Sequence, residues 1–403
     1  MRGRRLRPDS EDAVFAAAQL PAASHHIYRP GLTADSCDAG SFPAGAGYWV
    51  EPGPRVGTQL FGTSYAQRVI WAHQHPADCA AARYLLYTPQ MGGLGSMVHN
   101  HGAVLGLALA TGRVLLYEFD AGHAWHDARW CAGGLPFDAC YFRPVTNCTL
   151  AHAAAGDDRN VGPGAPLFDW RVPGQGAARA LRFYRNESYH GVDTYAVLPQ
   201  FAQLIAASPI NPAKYHYWWR AQAATFLLRP NARTLAAVAR RRAAAFAGRS
   251  VAPGTVSVHV RKGDKWVEAE EAPLDTYVAA AERLVRESRG RLRRRLFLST
   301  EDPGAVAYFG ALAPHWAAAW TDGPRKPDRT KSTLAYVAEV GPANELVDAL
   351  LNLDLALACD AWVGTLTSNW CRLVDELRAT LRCKAHGRYL DAQQGDPPED
   401  LGW

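Results

Sequence analysis

A group of polar and cationic side chains follows a short apolar stretch in the middle of the chain. Residues 256–265 read VSVHVRKGDK, and the alternating valines predict a strand over Val256–Val260. Arg261, Lys262, Asp264 and Lys265 come directly after it. A guanidinium can hold two phosphate oxygens and a lysine supplies a point charge. The pattern therefore predicts an anion site, with phosphate as the favoured ligand; an ion pair in a solvated loop is the alternative.

A second polar turn is predicted at 365–369, where TLTSN joins a short strand at 362–364 to a helix at 370–380. The hydroxyls of Thr367 and Ser368 and the free N–H groups at the helix start would suit an anion. Ordinary capping by these hydroxyls is the alternative. Asp348, in the preceding helix, could accept two hydrogen bonds from a guanine edge, although a surface charge is the commoner role.

A glycine-rich turn lies in the first half, where residues 91–96 read MGGLGS. It joins a strand predicted over Tyr84–Tyr87 to a helix over Met97–Ala110, and a second strand follows over Arg113–Phe119. In such a β-turn-α-β unit, Gly93 and Gly95 would let the backbone approach a phosphate. A plain connecting turn is the alternative.

The same unit is an incomplete dinucleotide fingerprint. The third glycine position holds Val98, and the acid expected after the second strand would be Glu118 or Asp120. An NAD-dependent dehydrogenase is therefore one possible function, and reduced-cofactor fluorescence would reveal it.

Predicted strands and helices alternate along the chain, which favours an α/β fold with a mostly parallel sheet. Further helices are predicted at 64–73, 198–207, 215–228, 231–246, 274–287 and 344–359, and further strands at 296–299 and 317–320. We expect an irregular N-terminal arm at 1–62, an α/β domain at 63–248 and a second α/β domain at 249–395. The arginines at 240–242 are interpreted as a solvated helix face.

The composition is that of an ordinary globular protein, with 48% hydrophobic residues among 403 and a net charge of +5. This mild charge fits a small anionic ligand, and the basic runs lack the interleaved aromatics of a nucleic-acid site. No apolar run is long enough to span a bilayer, and no signal peptide is visible. Either a targeting segment lies outside this chain or the protein is soluble as it stands.

The eight cysteines contain no CxxC pair, which argues against a zinc or redox motif. Cys131 and Cys140 could close a small loop. Glycosylation sequons begin at Asn147 and Asn186. Together with an even cysteine count, they favour a secretory compartment.

These motifs, in this order, resemble the inverting α-1,6-fucosyltransferases that add core fucose to N-glycans, and their nodulation relatives. The second half carries HVRKGDK at 259–265, LSTEDP at 298–303, LVD at 346–348 and TLTSNWCR at 365–372. The first half carries PADC at 76–79, GLG at 93–95 with His99, FRPVT at 142–146, and WW at 218–219 before LRP at 228–230. The resemblance covers residues 76 to about 390.

The resemblance implies a GT-B architecture of two Rossmann-like domains, with GDP-fucose held mainly by the second and no metal or other cofactor. The donor-binding residues would be His259, Lys262, Asp264, Asp302, Asp348, Thr367, Ser368, Asn369, Gly93 and Gly95. The catalytic residues would be Arg261, Lys265, Glu268 and Glu270.

Within these sets, the resemblance implies that the guanine is contacted by His259 and Asp348, and that Arg261 holds the β-phosphate. Ser368 and Asn369 would hold the diphosphate. Activation of the acceptor hydroxyl would fall to Lys265 with Glu268 or Glu270.

The chain also departs from the family pattern. Lys262 replaces an arginine and loses its bidentate geometry, and Gly263 replaces a threonine. The loop after Lys265 is one residue shorter, which leaves two glutamates as possible base partners. Gly364 stands where a cysteine would pair with Cys371, and Gly92 and Ser96 replace the cysteines beside the glycine turn. The family's coiled coil and SH3-like module are absent from this sequence. These differences concern acceptor choice more than donor binding.

We therefore expect an inverting glycosyltransferase that moves fucose from GDP-fucose to a glycan in the Golgi lumen, with core α-1,6 fucosylation of an N-glycan as the leading reaction. A peptide O-fucosyltransferase is a close alternative. A catalytically silent glycan- or nucleotide-binding protein of the same fold is another.

Overall fold

The computed structural model describes residues 35–37, 42–43, 45–50, 57–89, 91–118, 122–131, 135–154, 158–161, 178–183, 197–208, 210, 214–246, 251–262, 270–312, 314–326 and 330–395. Its helices are α1 (Thr63–Gln74), α2 (Leu94–Ala110), α3 (Phe137–Tyr141), α4 (Leu150–Ala153), α5 (Ala202–Ala206), α6 (Tyr215–Leu227), α7 (Ala232–Phe246), α8 (Leu274–Glu287), α9 (Pro303–Gly310), α10 (Thr333–Val340), α11 (Pro342–Ala358) and α12 (Asn369–Thr380). A 3₁₀ turn at Pro199–Phe201 precedes α5.

The strands in the same part of the chain are β1 (Asp35–Ser36), β2 (Thr58–Gln59), β3 (Tyr84–Tyr87), β4 (Val114–Tyr117), β5 (Asp158–Val161), β6 (Ala180–Phe183), β7 (Val256–Val260), β8 (Arg295–Thr300), β9 (Ala317–Ala319), β10 (Ala361–Gly364) and β11 (Arg388–Asp391). β1 and β2 form a small antiparallel pair, and the others form two separate sheets.

The larger sheet has five parallel strands in the order β11-β10-β7-β8-β9. The chain enters at the central strand β7, continues through β8 to β9 at one edge, and then places β10 and β11 on the other side of β7. The winding therefore reverses between β7 and β10, and ligands of such sheets bind outside the strand ends at this switch point. The polar turns at 259–265 and 365–369 follow these two strands.

The smaller sheet has four parallel strands in the order β4-β3-β6-β5. Strand β3 is buried at every position, which explains its uninterrupted apolar sequence. The glycine-rich turn leaves this strand at the point where the winding reverses. The α/β class and the two parallel-stranded units of the GT-B expectation are confirmed, whereas the predicted domain boundaries remain predictions.

Most predicted elements in the described ranges are present, but several boundaries moved. Helix α2 begins at Leu94, three residues before the predicted start, so the glycine turn forms the start of the helix itself. Strands β1, β5, β6 and β11 and helices α3, α4 and α10 were not predicted. β11 has the sequence RYLD, whose charged ends conceal a strand that is buried in the parallel sheet at its last three positions.

Glycines let helix α2 approach α6 closely. A Cβ atom on Gly102 would lie 2.9 Å from the Cβ of Ala223, and one on Gly106 would lie 2.9 Å from Nε1 of Trp219. Trp219 Nε1 donates a hydrogen bond to the Gly102 carbonyl at 3.1 Å. Since α6 also packs on α12, these three helices form a continuous layer that joins the two halves of the chain.

The prediction that the arginines at 240–242 form a solvated helix face is wrong for two of the three. Arg241 Nη1 lies 2.5 Å from Asp348 Oδ1, and Arg242 forms an ion pair with Asp354. Arg240 is exposed. The reason is tertiary: α7 packs on α11, so long basic side chains reach acids on the neighbouring helix.

Three disulfides are present: Cys37–Cys383, Cys79–Cys148 and Cys131–Cys140. The suggested Cys131–Cys140 loop is confirmed, and Cys359 and Cys371 are buried free thiols. Disulfides are typical of oxidising compartments such as the secretory lumen. Among the described helices, none combines the length and apolar character needed to cross a membrane.

Candidate functional site

A cleft of about 450 Å³ opens outside the ends of β7, β8 and β10. The first half of the chain supplies the glycine turn at 92–96 and Trp125 to its wall. The second half supplies the strand ends, the segment 323–326, the starts of α10 and α12, and one face of α11 between Glu345 and Asn352. The volume is within the range of small-molecule sites. The cleft thus coincides with the switch point of the larger sheet.

The ends of β7 and β8 place a cation beside an acid in this cleft. Arg261 Nη1 donates to the Glu301 carboxylate, and each side chain is 21% exposed. The same carboxylate oxygen accepts from the backbone N–H of Lys262 at 3.2 Å. Because its pairing with Glu301 fixes the side chain, the Arg261 guanidinium is held in place at the cleft wall, beside the carboxylate that also lines it.

His259, on β7, also lines the cleft. Its Nδ1 lies 3.2 Å from the hydroxyl of Ser299, the residue directly opposite on β8. Burial, and to a smaller extent the charge of Arg261, lowers the pKa of His259 to about 3, so the ring is neutral. Its buried Nε2 has no hydrogen-bond partner within the described part of the chain. A neutral imidazole of this kind can donate to or accept from a ligand.

Helix α12 begins at the cleft, with Ser368 as its N-cap and Asn369 as its first residue. The side chain of Ser368 makes no capping hydrogen bond, contrary to the ordinary capping alternative. Asp391 holds the preceding loop, because its carboxylate accepts from the backbone N–H groups of Leu366 at 2.6 Å and Gln393 at 2.8 Å. The unpaired N–H groups and the dipole at a helix start favour an anion.

The start of helix α2 meets the start of α12 at the same place. A Cβ atom on Gly95 would lie 3.0 Å from the carbonyl carbon of Asn369 and 3.0 Å from the backbone N of Trp370. A Cβ atom on Gly93 would meet only Thr333, at 3.8 Å. Gly95 therefore permits close approach of two backbones, and both positive helix ends face one cleft.

A buried polar chain lies behind this contact. His99 Nδ1 lies 2.8 Å from Asn369 Oδ1, and its Nε2 lies 2.9 Å from Glu376 Oε2. The other oxygen of Glu376 accepts from Arg220 at 2.8 Å. Burial raises the pKa of Glu376, but His99 and Arg220 outweigh it, so the net shift is downward and the carboxylate is ionised.

Two carboxyl groups from one face of α11 line another part of the cleft. Asp348 is held by Arg241, whereas the carboxyl group of Glu345 has no hydrogen-bond partner among the described residues. Burial, followed by the charges of Asp348 and Glu301, raises the pKa of Glu345 to about 7. A group that can exist in either protonation state near neutral pH therefore faces the cleft.

The cleft brings together many of the predicted site residues: Gly93, Gly95, His259, Arg261, Asp348, Ser368 and Asn369. Others do not line it: Lys262, Glu270, Asp302 and Thr367. Lys262 pairs with Glu271, and Asp302 caps helix α9 by accepting from Gly304. Asp264, Lys265 and Glu268 lie outside the described residues, so their roles remain predictions.

Sequence reasoning missed several residues of the cleft wall, above all Glu301, Arg325, Glu345 and Trp370. A signal existed for Glu345, because it stands three residues before Asp348 and must share its helix face. Glu301 and Trp370 lie within the motifs at 298–303 and 365–372, but no role was predicted for them there. Arg325 belongs to no motif, since only the tertiary packing turns its segment toward the cleft.

Two other expectations can be compared with the structure. The carboxylate of Glu118 is hydrogen-bonded to Arg182 at 3.0 Å and does not line the cleft, which removes support for a dinucleotide site; Asp120 lies outside the described residues.

At Gly364, a Cβ atom would lie 2.7 Å from Cys371 Sγ and 2.5 Å from the Tyr389 hydroxyl. The tyrosine thus fills the space that a second cysteine would need.

Within the described ranges, no group of three or more His, Cys, Asp or Glu side chains could hold a metal ion. The expectation that no metal is required remains a prediction.

The sequence matches no protein-family model and no curated protein. Solved structures with a similar fold include the fucosyltransferase NodZ from Bradyrhizobium, at 13% identity over 73% of this chain and 92% of that one, with a TM-score of 0.40. A mutant of Arabidopsis thaliana FUT1 in complex with GDP has 12% identity over 89% and 85%, with a TM-score of 0.45. POFUT1 in complex with GDP-fucose has 14% identity over 77% and 97%, with a TM-score of 0.43. At these identities the likeness concerns the fold alone.

Proposed function

We propose that this protein is a glycosyltransferase that transfers fucose from GDP-fucose to a glycan with inversion at the anomeric carbon. The observation that carries the proposal is the meeting of Arg261 and the start of α12 in one cleft at the switch point of a parallel sheet. A fixed guanidinium and a positive helix end are suited to a diphosphate. The motifs that form them are those that resemble the fucosyltransferases.

The remaining cleft wall suits a nucleobase. The unpaired Nε2 of neutral His259 can hydrogen-bond to a base, and the carboxyl groups of Asp348 and Glu345 can accept from its N–H groups. Asp348 already accepts from Arg241, so Glu345 extends the acceptor set beyond the residue named from the sequence.

In the proposed reaction, the oxygen of an acceptor hydroxyl attacks the anomeric carbon of fucose. The bond from that carbon to the β-phosphate oxygen breaks, and its electron pair leaves with GDP. Arg261 and the helix start stabilise the charge that develops on the departing diphosphate. The proton of the acceptor hydroxyl passes to a base, which we assign to Lys265 acting with Glu268 or Glu270.

The finer assignment is an extension of this proposal. We propose the core GlcNAc of an N-glycan as acceptor with an α-1,6 linkage, in the Golgi lumen, with the donor held mainly by residues 249–395 and the acceptor by residues 63–248. A peptide hydroxyl is the alternative acceptor, since the donor site described above would serve both.

The test is acceptor-stimulated release of GDP from GDP-fucose, with EDTA present. Three chains are compared: native, Arg261→Ala, and Arg283→Ala as control, because Arg283 also pairs with a glutamate but does not line the cleft. Acceptors are a biantennary N-glycan ending in GlcNAc and a polypeptide with exposed serine and threonine hydroxyls. We expect about 30- to 1,000-fold slower release for Arg261→Ala, the effect of losing about 2–4 kcal/mol of transition-state stabilisation.

Release stimulated by the glycan, lost in Arg261→Ala and kept in Arg283→Ala, would support the transferase. Release stimulated by the polypeptide alone would indicate that a peptide hydroxyl, and not the N-glycan, is the acceptor. Tight GDP binding without release from either acceptor would indicate a silent nucleotide-binding protein. A native chain that neither binds GDP nor releases it would refute the proposal.

A further inference from the structure

A hydrogen-bonded chain runs from the cleft into the interior through three helices. Asn369 lies at the cleft, His99 on α2 is 6% exposed, and Glu376 on α12 is fully buried. The chain ends at Arg220 on α6, which is also 6% exposed. Each successive contact is 2.8–2.9 Å long. Of these four hydrogen-bonded residues, only Asn369 lines the cleft.

The identities of these groups determine where the protons lie. The ionised Glu376 can only accept, so His99 donates to it from Nε2. Asn369 Oδ1 also can only accept, and Arg372 Nη1 approaches it at 3.4 Å, which identifies this atom of the amide as the oxygen. His99 therefore donates from Nδ1 as well, and a ring that donates from both nitrogens is an imidazolium.

The buried group then contains one anion, Glu376, and two cations, His99 and Arg220. The excess positive charge lies directly behind the helix start that faces the cleft, where it adds to the helix dipole.

We propose that His99 is a positioning residue of the donor site: as an imidazolium it fixes the Asn369 amide with Oδ1 inward and Nδ2 toward the cleft, where Nδ2 donates to the diphosphate. This inference rests on the proposed function. If His99 were neutral and donated to Glu376, its Nδ1 would present a lone pair to an oxygen. The amide would then turn, and its N–H groups would leave the cleft.

The first test needs no variant. In the native protein with ¹⁵N-labelled histidine, the ring of His99 should show two protonated nitrogens at pH 7, assigned by the signal that moves in Asn369→Ala. A neutral ring would overturn the proposal, whether or not the protein binds GDP.

The second test is a binding comparison with GDP and guanosine. His99→Gln should weaken GDP about tenfold, the equivalent of about 1.4 kcal/mol, and leave guanosine within about twofold. His101→Gln is the control, because His101 is buried on the same helix but lines a different cavity. Melting temperatures verify that each variant is folded.

A double-mutant cycle separates positioning from a general structural effect. If His99 acts through Asn369, adding His99→Gln to Asn369→Ala should cause no further loss of GDP affinity. Additive losses, or equal losses for GDP and guanosine, would overturn the role. Native protein that binds no GDP would refute the proposed function instead, and inorganic pyrophosphate would then replace GDP in the same cycle, with the same outcomes deciding.

Discussion

Replacing Gly95 with alanine should weaken nucleotide binding more than it weakens the fold. The new Cβ atom would lie 3.0 Å from two backbone atoms at the start of α12, and ordinary contact begins at 3.4 Å, so the helices must separate by about 0.4 Å. Overpacking of this kind costs about 1–3 kcal/mol, and removing a helical glycine returns about 0.5–1 kcal/mol. We therefore expect the free energy of unfolding to fall by about 0–2 kcal/mol.

The effect on binding is larger, because the displaced atoms are those that face the anion. Charge-assisted hydrogen bonds contribute about 1.5–3 kcal/mol each, and shifting several of them together should cost about tenfold in GDP affinity. The shift also disturbs the contact between His99 and Asn369.

Two matched variants isolate this effect. Gly93→Ala adds a methyl group in the same turn, but its nearest neighbour is Thr333 at 3.8 Å, an ordinary contact. Gly102→Ala creates a clash of 2.9 Å on the same helix, away from the cleft. We expect Gly93→Ala to bind GDP within about twofold of the native chain, and Gly102→Ala to lose stability but not affinity.

Calorimetric titration with GDP and urea unfolding measure the two quantities. Equal affinity losses for Gly93→Ala and Gly95→Ala would refute the close-approach argument. A loss of affinity in folded Gly102→Ala as large as in Gly95→Ala would show that general loosening of α2 is responsible.

Two further predictions concern carboxyl groups. Asp391→Ala leaves three backbone N–H groups, those of Leu366, Gln393 and Gln394, without their side-chain acceptor. Urea unfolding should show a free energy of unfolding lower by about 2–4 kcal/mol, with weaker GDP binding, and a loss below about 1 kcal/mol would contradict this. The pKa of Glu345 is raised from 4.5 to about 7, so the folded state binds more protons between these values and stability is lost as the pH rises through them. Glu345→Gln should therefore match the native chain at pH 4 and exceed its stability at pH 8 by up to about 3 kcal/mol, whereas parallel pH profiles would refute the assignment.

The sequence by itself determined the local structure of the second half. Alternating valines specify β7, and the 3.6-residue apolar period of 274–287 specifies α8 with the boundaries observed. These patterns are readable because each element buries one face, and the period of the buried positions follows from backbone geometry. Alternation of strands and helices also predicted a parallel sheet, and the motifs identified Arg261, His259, Ser368 and Asn369 as neighbours at its edge.

The tertiary structure decided what the local patterns leave open. A Cβ atom on Gly95 would lie against the backbone of α12, whereas one on Gly93 would make only an ordinary contact, and this difference depends on where α12 lies. Arg241 appears in the sequence as one of three adjacent arginines, and only the packing of α7 on α11 pairs it with Asp348. The partnership of His99 with Glu376 joins residues 277 positions apart. Such contacts depend on how whole helices and strands pack, and no local period in the sequence encodes contacts between residues so far apart in the chain.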